Sequence, residues 1–339
     1  MPDTAASRTP ETKVDQTQPE YRLSPVRAPD SDIGVALATF NSARYLKQQI
    51  ESVLAQTLQP RQIVVSDDGS TDDTIEIIAS YAQRDERIVI TRNGTHHTTN
   101  RINRNFENAA RHCTTRWIAF CDHDDVWLPQ KLDLLYRNRN GASLVYGRSQ
   151  PIDERGVIMP VRTEDLLGFT AHLSGNVPPL IFMHGNTVSG HALLVPREIL
   201  DQAFPFPCGM MYDQWIALVA ACKGPIRFVD ETVVLHRVHE DNSVHRRIGP
   251  GTKSLHRIPE IISRREKLLL KQEIADRVFD FRADLTEKER LFLNEYRSHL
   301  HRKSRYQINW RLFLAGYGIR RRLYMKNSAW RLLKQSTLV

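Results

Sequence analysis

Short apolar runs alternate with segments of helical periodicity from about residue 31 onward. The run Ile33–Ala38 predicts a first buried strand, and the spacing of apolar residues over 45–58 predicts the helix that follows it. Further apolar runs at Ile63–Val65, Ile88–Ile90 and Trp117–Phe120 predict three more strands. Strands that alternate with helices are typical of a parallel sheet with helices on both faces. The sequence therefore predicts an α/β fold with a mostly parallel central sheet.

The pattern after the fourth strand is less regular. Several Gly and Pro residues interrupt residues 141–195, which predict only short strands. Residues 212–222 predict a helix, and residues 226–238 predict a strand pair.

The two ends of the chain differ from this middle part. The N-terminal residues are rich in Pro, Thr, Asp and Gln and poor in large apolar groups, which predicts disorder. The chain beyond Arg246 predicts basic helices. We therefore divide the chain into a disordered tail of residues 1–30, an α/β domain of residues 31–245 and a basic α-helical region of residues 246–339.

Three predicted strands end in polar clusters. The first strand runs into Thr39-Phe40-Asn41, the second into Asp67-Asp68-Gly69-Ser70, and the fourth into Asp122-His123-Asp124-Asp125. Ser70 or Thr71 is expected to cap the helix after the second strand. Ligands of open α/β sheets bind outside the carboxyl ends of the strands. The clusters therefore predict one shared site at that edge.

The crowded acidic cluster after the fourth strand has two interpretations. Like charges repel, so Asp122, Asp124 and Asp125 form either a solvated turn or the seat of a divalent cation that holds a diphosphate. The chain has no GxGxxG after the first strand and no GxxxxGK[ST], so no glycine cradle for phosphates is apparent. Mg²⁺ and Mn²⁺ prefer carboxylate and phosphate oxygens. Strand alternation is expected to point Asp122 and Asp124 to the same side, where they would contact Mg²⁺ or Mn²⁺.

Positive charge is concentrated at the C-terminal end. The whole chain of 339 residues carries +8, whereas residues 246–339 contain 23 Lys and Arg against 9 Asp and Glu. Such asymmetry indicates contact with an anionic surface, either nucleic acid or a membrane. We expect no nucleic-acid binding, because the basic charge lies outside the α/β part and no recognised binding motif occurs.

Composition also restricts where the protein works. No apolar run approaches the roughly 20 residues that cross a bilayer, and no order of residues typical of a signal peptide occurs. The four cysteines show no CxxC pairing, which predicts reduced thiols in a cytoplasmic protein. Aromatic and basic residues interleave at near-helical spacing over 310–333. This stripe is expected to be core or a dimer surface, or to lie on the cytoplasmic face of the inner membrane.

A family resemblance joins these motifs. The chain contains, in order, TFNSARYLKQQIESVLAQT, VVSDDGSTDDT, CDHDDVWLPQKL, GNTVSGHALLVPREIL and MYDQWIALVAA. The set resembles family 2 glycosyltransferases with the GT-A (Rossmann-like) fold over about residues 31–240. With the later R-x-H-x-x-N element of Arg237, His239 and Asn242, it looks most like bacterial rhamnosyltransferases. The resemblance implies sugar transfer in cell-envelope polysaccharide synthesis, with dTDP-L-rhamnose or a UDP-sugar as donor.

The resemblance implies roles for the donor-side residues. Thr39, Phe40 and Asn41 would lie against the base and ribose, and Asp68 would accept the imide N–H of uracil or thymine. Asn105, with Arg101 and Arg104, would bind and hold phosphate.

The reaction centre is implied in the same way. Asp122 would bind hydroxyls of the ribose or sugar, and Asp124 would bind the metal, with His239 as a second ligand or a structural histidine. Asp213 would be the catalytic base of an inverting transfer, or a capping acid beside a buried Trp215. His184, His191 and His236 are expected to be structural or rim residues. The acceptor would be a saccharide or lipid-linked saccharide.

Two other functions remain open. A sugar nucleotidyltransferase uses a related sheet, but its glycine-rich start after the first strand is missing. A non-catalytic basic binding protein would explain the positive charge of the chain but not its acidic clusters. The sequence predicts no oligomeric state.

Overall fold

The computed structural model describes residues 31–94, 100–183, 185–240 and 264–301. The predicted disordered tail and the 310–333 stripe lie outside these residues. Eight strands form one sheet in the described part of the chain. They are β1 (Ile33–Thr39), β2 (Gln62–Asp67), β3 (Ile88–Arg92), β4 (Trp117–Cys121), β5 (Val126–Trp127), β6 (Leu144–Ile152), β7 (Leu193–Pro196) and β8 (Ile226–Arg237).

The α-helices of the same residues surround this sheet. They are α1 (Ala43–Leu54), α2 (Thr74–Ala82), α3 (Arg101–His112), α4 (Lys131–Arg137), α5 (Thr163–Leu167), α6 (Arg197–Ala203), α7 (Tyr212–Lys223), α8 (Arg264–Asp280) and α9 (Glu287–His301). The four strands and the 212–222 helix that the sequence predicts are therefore confirmed. None of the described helices is long and apolar enough to cross a bilayer.

The strand order is β3-β2-β1-β4-β7-β6-β8-β5. The first four of these pair in parallel, with β1 between β2 and β4. The other half is mixed, because β7 runs antiparallel to both β4 and β6, and β5 runs antiparallel to β8. The carboxyl ends of β2, β1 and β4 therefore lie side by side at one edge, as the polar clusters predicted.

Both faces of the sheet are covered, which explains why β1 is apolar throughout. Val35 and Leu37 pack in the core on the side of α1, α2 and α4. Ala36 and Ala38 pack in the opposite core, on the side of α3, α6 and α7. Alternate residues of a strand point to opposite faces, so one strand contributes to both cores.

The predicted strand pair over 226–238 is wrong, because the structure has one long strand there. β8 pairs with β6 in parallel, with register shifts on either side of Arg148. The polar stretch Asp230–Thr232 forms the irregular part of this pairing. Val233 and Val234 are fully buried beyond it and continue the strand.

The described part of the basic C-terminal region is helical, as predicted. Ile274 and Val278 of α8 and Leu293 of α9 are buried in the same core as α7. The Arg277 guanidinium lies 4.5 Å from the centroid of the Trp215 ring. These two helices therefore contribute to the core of the α/β part.

Candidate functional site

The loops that follow β1 and β2 are bonded to each other. The Thr39 hydroxyl donates to Asp67 Oδ1 over 3.0 Å, and the Thr71 backbone N–H donates to Asn41 Oδ1 over 2.9 Å. Asn41 has a φ of 48°, a left-handed conformation that Asn tolerates better than most residues. The side chains of Thr39 and Asn41 thus shape the loops.

The expected cap of α2 by Ser70 or Thr71 is wrong. The helix begins at Thr74, and its first flanking residue is Asp73. The Ser70 hydroxyl instead accepts the backbone N–H of Asn41 over 2.9 Å. The two loops therefore use these polar residues to hold each other.

Asp68 is buried and already has strong partners. Its Oδ2 pairs with Arg101 Nε at 2.6 Å, and its Oδ1 accepts from Asn93 Nδ2 at 2.9 Å. The Arg101 guanidinium also lies 4.2 Å from the centroid of the Phe40 ring, which is 41% exposed. Asp68, Arg101 and Phe40 therefore form a cation-centred cluster with an exposed aromatic face.

Asn105 stands behind this cluster on α3. Its Nδ2 donates to the Thr39 carbonyl over 2.9 Å, which ties α3 to the end of β1. Its Oδ1 is buried and has no hydrogen-bond partner in the part of the chain that the structure describes. A buried amide oxygen without a partner is costly, so it is available to a donor that the protein does not itself supply.

The three carboxylates after β4 converge. One oxygen each from Asp122, Asp124 and Asp125 lies within 4.8 Å of the others. β4 ends at Cys121, so all three carboxylates lie in the following turn. Strand alternation is therefore the wrong reason for their proximity.

The carboxylates of this turn differ in proton affinity. Burial and the charge of Asp124 raise the pKa of Asp122 to about 6. Burial acts in the same direction on Asp124, but the charge of His123 and the hydrogen bond from His239 hold the pKa of Asp124 well below its usual range. Asp124 is thus a carboxylate at neutral pH.

The end of β8 is bound to this acidic turn. His239 Nε2 lies 2.8 Å from Asp124 Oδ2, and Arg237 Nε donates to the Asp124 carbonyl over 2.9 Å. The guanidinium of Arg237 lies 4.6 Å from the centroid of the Tyr45 ring, and that ring lies 5.1 Å from His239. The structure therefore brings Arg237 and His239 of the R-x-H-x-x-N element to Asp124, whereas Asn242 lies outside the described residues.

Two histidines flank the fully buried Asp125. Asp125 Oδ1 accepts from His236 Nδ1 and from the Arg237 backbone N–H, each at 3.0 Å. His191 Nδ1 lies 3.4 Å from both Asp125 Oδ2 and Asp122 Oδ2. Of the two expected alternatives, structural or rim residue, the structure favours the structural one for His191 and His236, which are buried with stacked rings 4.7 Å apart. His184 lies outside the described residues.

The two histidines have opposite proton affinities. Burial opposes charge on both. The negative charge of Asp125 and its hydrogen bond nevertheless raise the pKa of His236 to about 9, whereas burial lowers that of His191 to about 4. At neutral pH the pair therefore carries one positive charge.

A buried lysine lies close to the same carboxylates. Lys131 Nζ donates to the His191 carbonyl and lies 3.2 Å from the centroid of the Trp127 ring. Burial lowers the pKa of Lys131 to about 7, although nearby Cys121, Asp125 and Asp122 favour its charge. Lys131 offers this cluster a second positive charge.

Asp213 lies in the first turn of α7 and contacts the turn that precedes His191. Its Oδ2 accepts from the Gly190 backbone N–H at 3.2 Å, and its Oδ1 accepts from the Gln214 N–H at 2.7 Å. Gly190 directly precedes His191. A Cβ atom at Gly190 would lie 2.0 Å from the Tyr212 hydroxyl, so this approach requires glycine.

The predicted site residues fall into three groups at one edge of the sheet. The first follows β1 and β2, the second follows β4 together with His239, and the third is Asp213. From the sequence, Asp125 belongs to the acidic run, and His191 and His236 are expected only to be structural or rim residues. Lys131 has no predicted role. Neither the two histidines nor Lys131 carries a local signal for contact with the acidic turn, because only the folded chain brings them to it.

The central part of the chain matches a protein family. Residues 35–200 match the family described as Glycosyl transferase family 2. A Nostoc sp. protein described as an uncharacterized glycosyltransferase is 30% identical over 227 residues, which are 62% of this chain and 66% of that protein. A Rickettsia conorii protein with the same description is 25% identical over 219 residues, 34% of its length. The chain thus spans only part of both relatives.

Solved structures share the fold. The crystal structure of S. aureus TarS 1-349 in complex with UDP-GlcNAc has a TM-score of 0.57 and 17% identity, covering 80% of this chain and 73% of that one. The same fragment in complex with UDP has a TM-score of 0.57 and 16% identity, covering 90% and 88%. This similarity confirms the expected GT-A architecture.

Proposed function

Because the chain contains a family 2 glycosyltransferase domain, we propose that it is an inverting, metal-dependent glycosyltransferase. It moves a sugar from a nucleoside diphosphate to a hydroxyl group of a saccharide or lipid-linked saccharide. The observation that carries this proposal is the convergence of the Asp122, Asp124 and Asp125 carboxylates within 4.8 Å. These carboxylates follow β4, which pairs with β1. On its other side β1 pairs with β2, the strand that leads to Asp68.

The cluster of Asp68, Arg101 and Phe40 is the proposed base and ribose site. The exposed Phe40 ring offers a surface for stacking, and Asp68 accepts the imide N–H that uracil and thymine share. An ionised carboxylate only accepts hydrogen bonds, and its bonds from Arg101 and Asn93 fix its orientation. The unpartnered Asn105 Oδ1 supports a ligand on the same side.

A divalent cation, Mg²⁺ or Mn²⁺, fits the donor set around Asp124. The carboxylates of Asp124 and Asp122 supply the hard oxygen ligands that these ions prefer. His239 Nε2, which bonds to Asp124 Oδ2 over 2.8 Å, adds a nitrogen. The lowered pKa of Asp124 keeps a ligand oxygen ionised. When bound, such an ion neutralises the diphosphate and polarises it as a Lewis acid.

Asp213 is the proposed general base. Its carboxylate takes the proton of the acceptor hydroxyl while that oxygen bonds to the anomeric carbon of the donor. The bond from this carbon to the diphosphate oxygen breaks on the opposite face, so the configuration inverts without a covalent enzyme intermediate. The N–H groups of Gly190 and Gln214 hold the carboxylate in place, and the N-terminus of α7 favours its charged form.

The proposed donor sugar is L-rhamnose carried by dTDP, on the strength of the motif resemblance. Uracil and thymine present the same imide edge to Asp68, so UDP-sugars are the second donor class. TarS fragments of the same fold have been crystallised with UDP-GlcNAc and with UDP. UDP-GlcNAc is therefore the UDP-sugar to compare with dTDP-rhamnose as a donor.

A thermal-shift panel tests donor and metal together. A ligand that binds only the folded chain raises the melting temperature. At a concentration of 100 Kd it adds about 2.7 kcal/mol to the free energy of unfolding. We expect dTDP-rhamnose to raise it more with Mn²⁺ than without, and CDP-sugars to leave it unchanged. If no uracil or thymine nucleotide stabilises the protein with either ion, the proposed function is wrong.

We further propose that the protein works on the cytoplasmic face of the inner membrane. Each basic residue close to an anionic leaflet contributes roughly 1 kcal/mol, and after Glu295 the chain has 11 basic residues and no acidic one. The test is sedimentation with anionic vesicles at low and high salt. We expect the protein to sediment with anionic vesicles at low salt and not at high salt. Equal sedimentation with neutral vesicles would contradict the proposed electrostatic binding.

A further inference from the structure

The start of α7, which carries the proposed base Asp213, is held by a residue of α3. We propose that Asn103 is a positioning residue that fixes Asp213 for the transfer reaction, a role that rests on the proposed function. The Asn103 side chain is fully buried, at 0% exposure. It contacts the loop of residues 207–211, which has no helix or strand of its own and leads directly into α7.

The amide group of Asn103 makes three hydrogen bonds to this loop and to the helix after it. Its Nδ2 donates to the carbonyl of Pro207 over 2.9 Å and to the carbonyl of Met210 over 2.8 Å. Its Oδ1 accepts the backbone N–H of Tyr212 over 3.0 Å, although 109 residues separate the two in the chain. An amide has two N–H donors and an acceptor oxygen, so one side chain satisfies three backbone groups.

Asn103 supplies the cap that α7 does not receive from its own sequence. The first N–H groups of a helix have no partner within it, and a Ser, Thr, Asp or Asn directly before the helix usually accepts from one of them. Here the preceding residue is Met211, whose side chain makes no capping bond. Asn103 Oδ1 accepts instead from Tyr212, the first residue of α7. Because Asp213 is the next residue, the cap acts directly beside the proposed base.

The buried ring of Tyr212 connects this cap to the other contact of the base. The ring centroid lies 4.2 Å from that of Phe106 on α3 and 5.1 Å from that of Phe120 on β4. The Tyr212 hydroxyl fills the space that a Cβ atom at Gly190 would need, and the Gly190 N–H donates to Asp213 Oδ2 over 3.2 Å. A shift of Tyr212 would therefore disturb both the backbone of Asp213 and the group that holds its carboxylate.

Different faces of α3 contact the two halves of the proposed site. On one face, Arg101 pairs with Asp68, and Asn105 donates to the Thr39 carbonyl. Asn103 points away from this face, because residues two positions apart in a helix do not face each other. The helix therefore sets the distance between the proposed donor site and the proposed base.

Replacement of Asn103 by Ala in the full-length chain tests this role with two measurements. The variant loses all three bonds, so hydrogen exchange of the amides of residues 212–215 should become about tenfold faster. Turnover is measured as nucleoside diphosphate release from dTDP-rhamnose or UDP-GlcNAc with Mn²⁺, with water as the acceptor. Misplacement of a reacting group by about 1 Å costs roughly 100-fold in rate. We expect kcat to fall about 10- to 100-fold while the KM for the donor stays within about threefold.

Asn100→Ala is the matched control. Asn100 is also a buried asparagine, and its Nδ2 donates to the same Pro207 carbonyl over 3.1 Å. It contacts the loop without capping α7, since the Tyr212 N–H is bonded to Asn103. Asn100→Ala should therefore leave the exchange of residues 212–215 unchanged and keep kcat within about threefold of the wild type.

A double-mutant cycle with Asp213→Asn separates positioning from general destabilisation. If Asn103 acts through Asp213, Asn103→Ala should lower the kcat of Asp213→Asn by no more than about twofold, because the carboxylate that it positions is already gone. Equal losses of kcat in both backgrounds would overturn the proposal, as would equal effects of Asn100→Ala. Unchanged exchange at residues 212–215 overturns the role of Asn103 alone, whereas a wild type that neither binds nor turns over either donor overturns the proposed function.

Discussion

His239 Nε2 and Asp124 Oδ2 are hydrogen-bonded over 2.8 Å, although 115 residues separate them in the chain. Asp124 follows β4, the last strand of the parallel half of the sheet, whereas His239 follows β8 in the mixed half. The contact joins the two halves at the acidic turn. Together with the charge of His123, it keeps the pKa of Asp124 below its usual range, since burial alone would raise it.

Replacement of His239 by Gln should weaken Mn²⁺ binding without removing the nucleotide site. The imidazole is a proposed ligand, and it also orients Asp124, so its loss is expected to raise the Mn²⁺ dissociation constant at least tenfold. Titration of Mn²⁺ in the presence of UDP measures the change. His112→Gln serves as the control, because His112 is an exposed histidine on α3. An unchanged Mn²⁺ affinity of His239→Gln would show that His239 is structural.

Replacement of Asp213 by Asn should remove turnover and preserve donor binding. A positioned general base contributes about 10²–10⁴-fold to the rate, so kcat should fall by that factor while the KM for the donor stays within about threefold. Asp201→Asn is the control, because Asp201 is an exposed acid at the end of the neighbouring α6. Equal loss of donor affinity in Asp213→Asn would instead assign Asp213 to the binding site.

Lys131 should make folding stability depend on pH. Burial lowers the pKa of Lys131 from its ordinary value of 10.5 to about 7. Below pH 7 the Lys131 amine is charged in both the folded and the unfolded chain. Between pH 7 and about 10 the unfolded chain holds a proton that the folded chain does not, so this group makes the free energy of unfolding rise with pH.

Urea unfolding of wild type and Lys131→Met across this range measures the effect. The difference in unfolding free energy between the two proteins should shift in favour of the wild type as pH rises, by about 1.4 kcal/mol per unit at most. Methionine has a similar length and no charge. Parallel profiles of the two proteins would mean that Lys131 keeps its proton in the folded state.

Replacement of Gly190 by Ala should destabilise the fold. The new Cβ atom would stand 2.0 Å from the Tyr212 hydroxyl, and Tyr212 is buried, so one element must move. Overpacking of this kind costs about 1–3 kcal/mol. Thermal unfolding measures the loss.

Gly94→Ala is the matched control, because no atom of the described residues lies within 4 Å of a Cβ atom at Gly94. Activity provides a second readout for Gly190→Ala, since the Gly190 N–H holds Asp213. Equal melting temperatures for the two variants would contradict the predicted clash.

The sequence by itself determined the parallel half of the fold and its acidic edge. The runs that form β1, β2 and β4 are apolar because both faces of the sheet are covered. A short apolar run between helical segments can be recognised from the local sequence alone. The polar residues that follow those strands must then meet at one edge. This reasoning located Asp68, Asp122 and Asp124 without knowledge of any distance.

Only the tertiary structure decided which residues from the later half join them. The sequence predicted a strand pair over 226–238 where the structure has the single strand β8, because irregular pairing with β6 leaves no periodic signal. His191 and His236 carried no pattern that marks them as neighbours of Asp125. Their contacts come from the pairing of strands far apart in the chain. Local periodicity reports the burial of a segment, whereas the partner of a buried charge is fixed by the packing of the whole sheet.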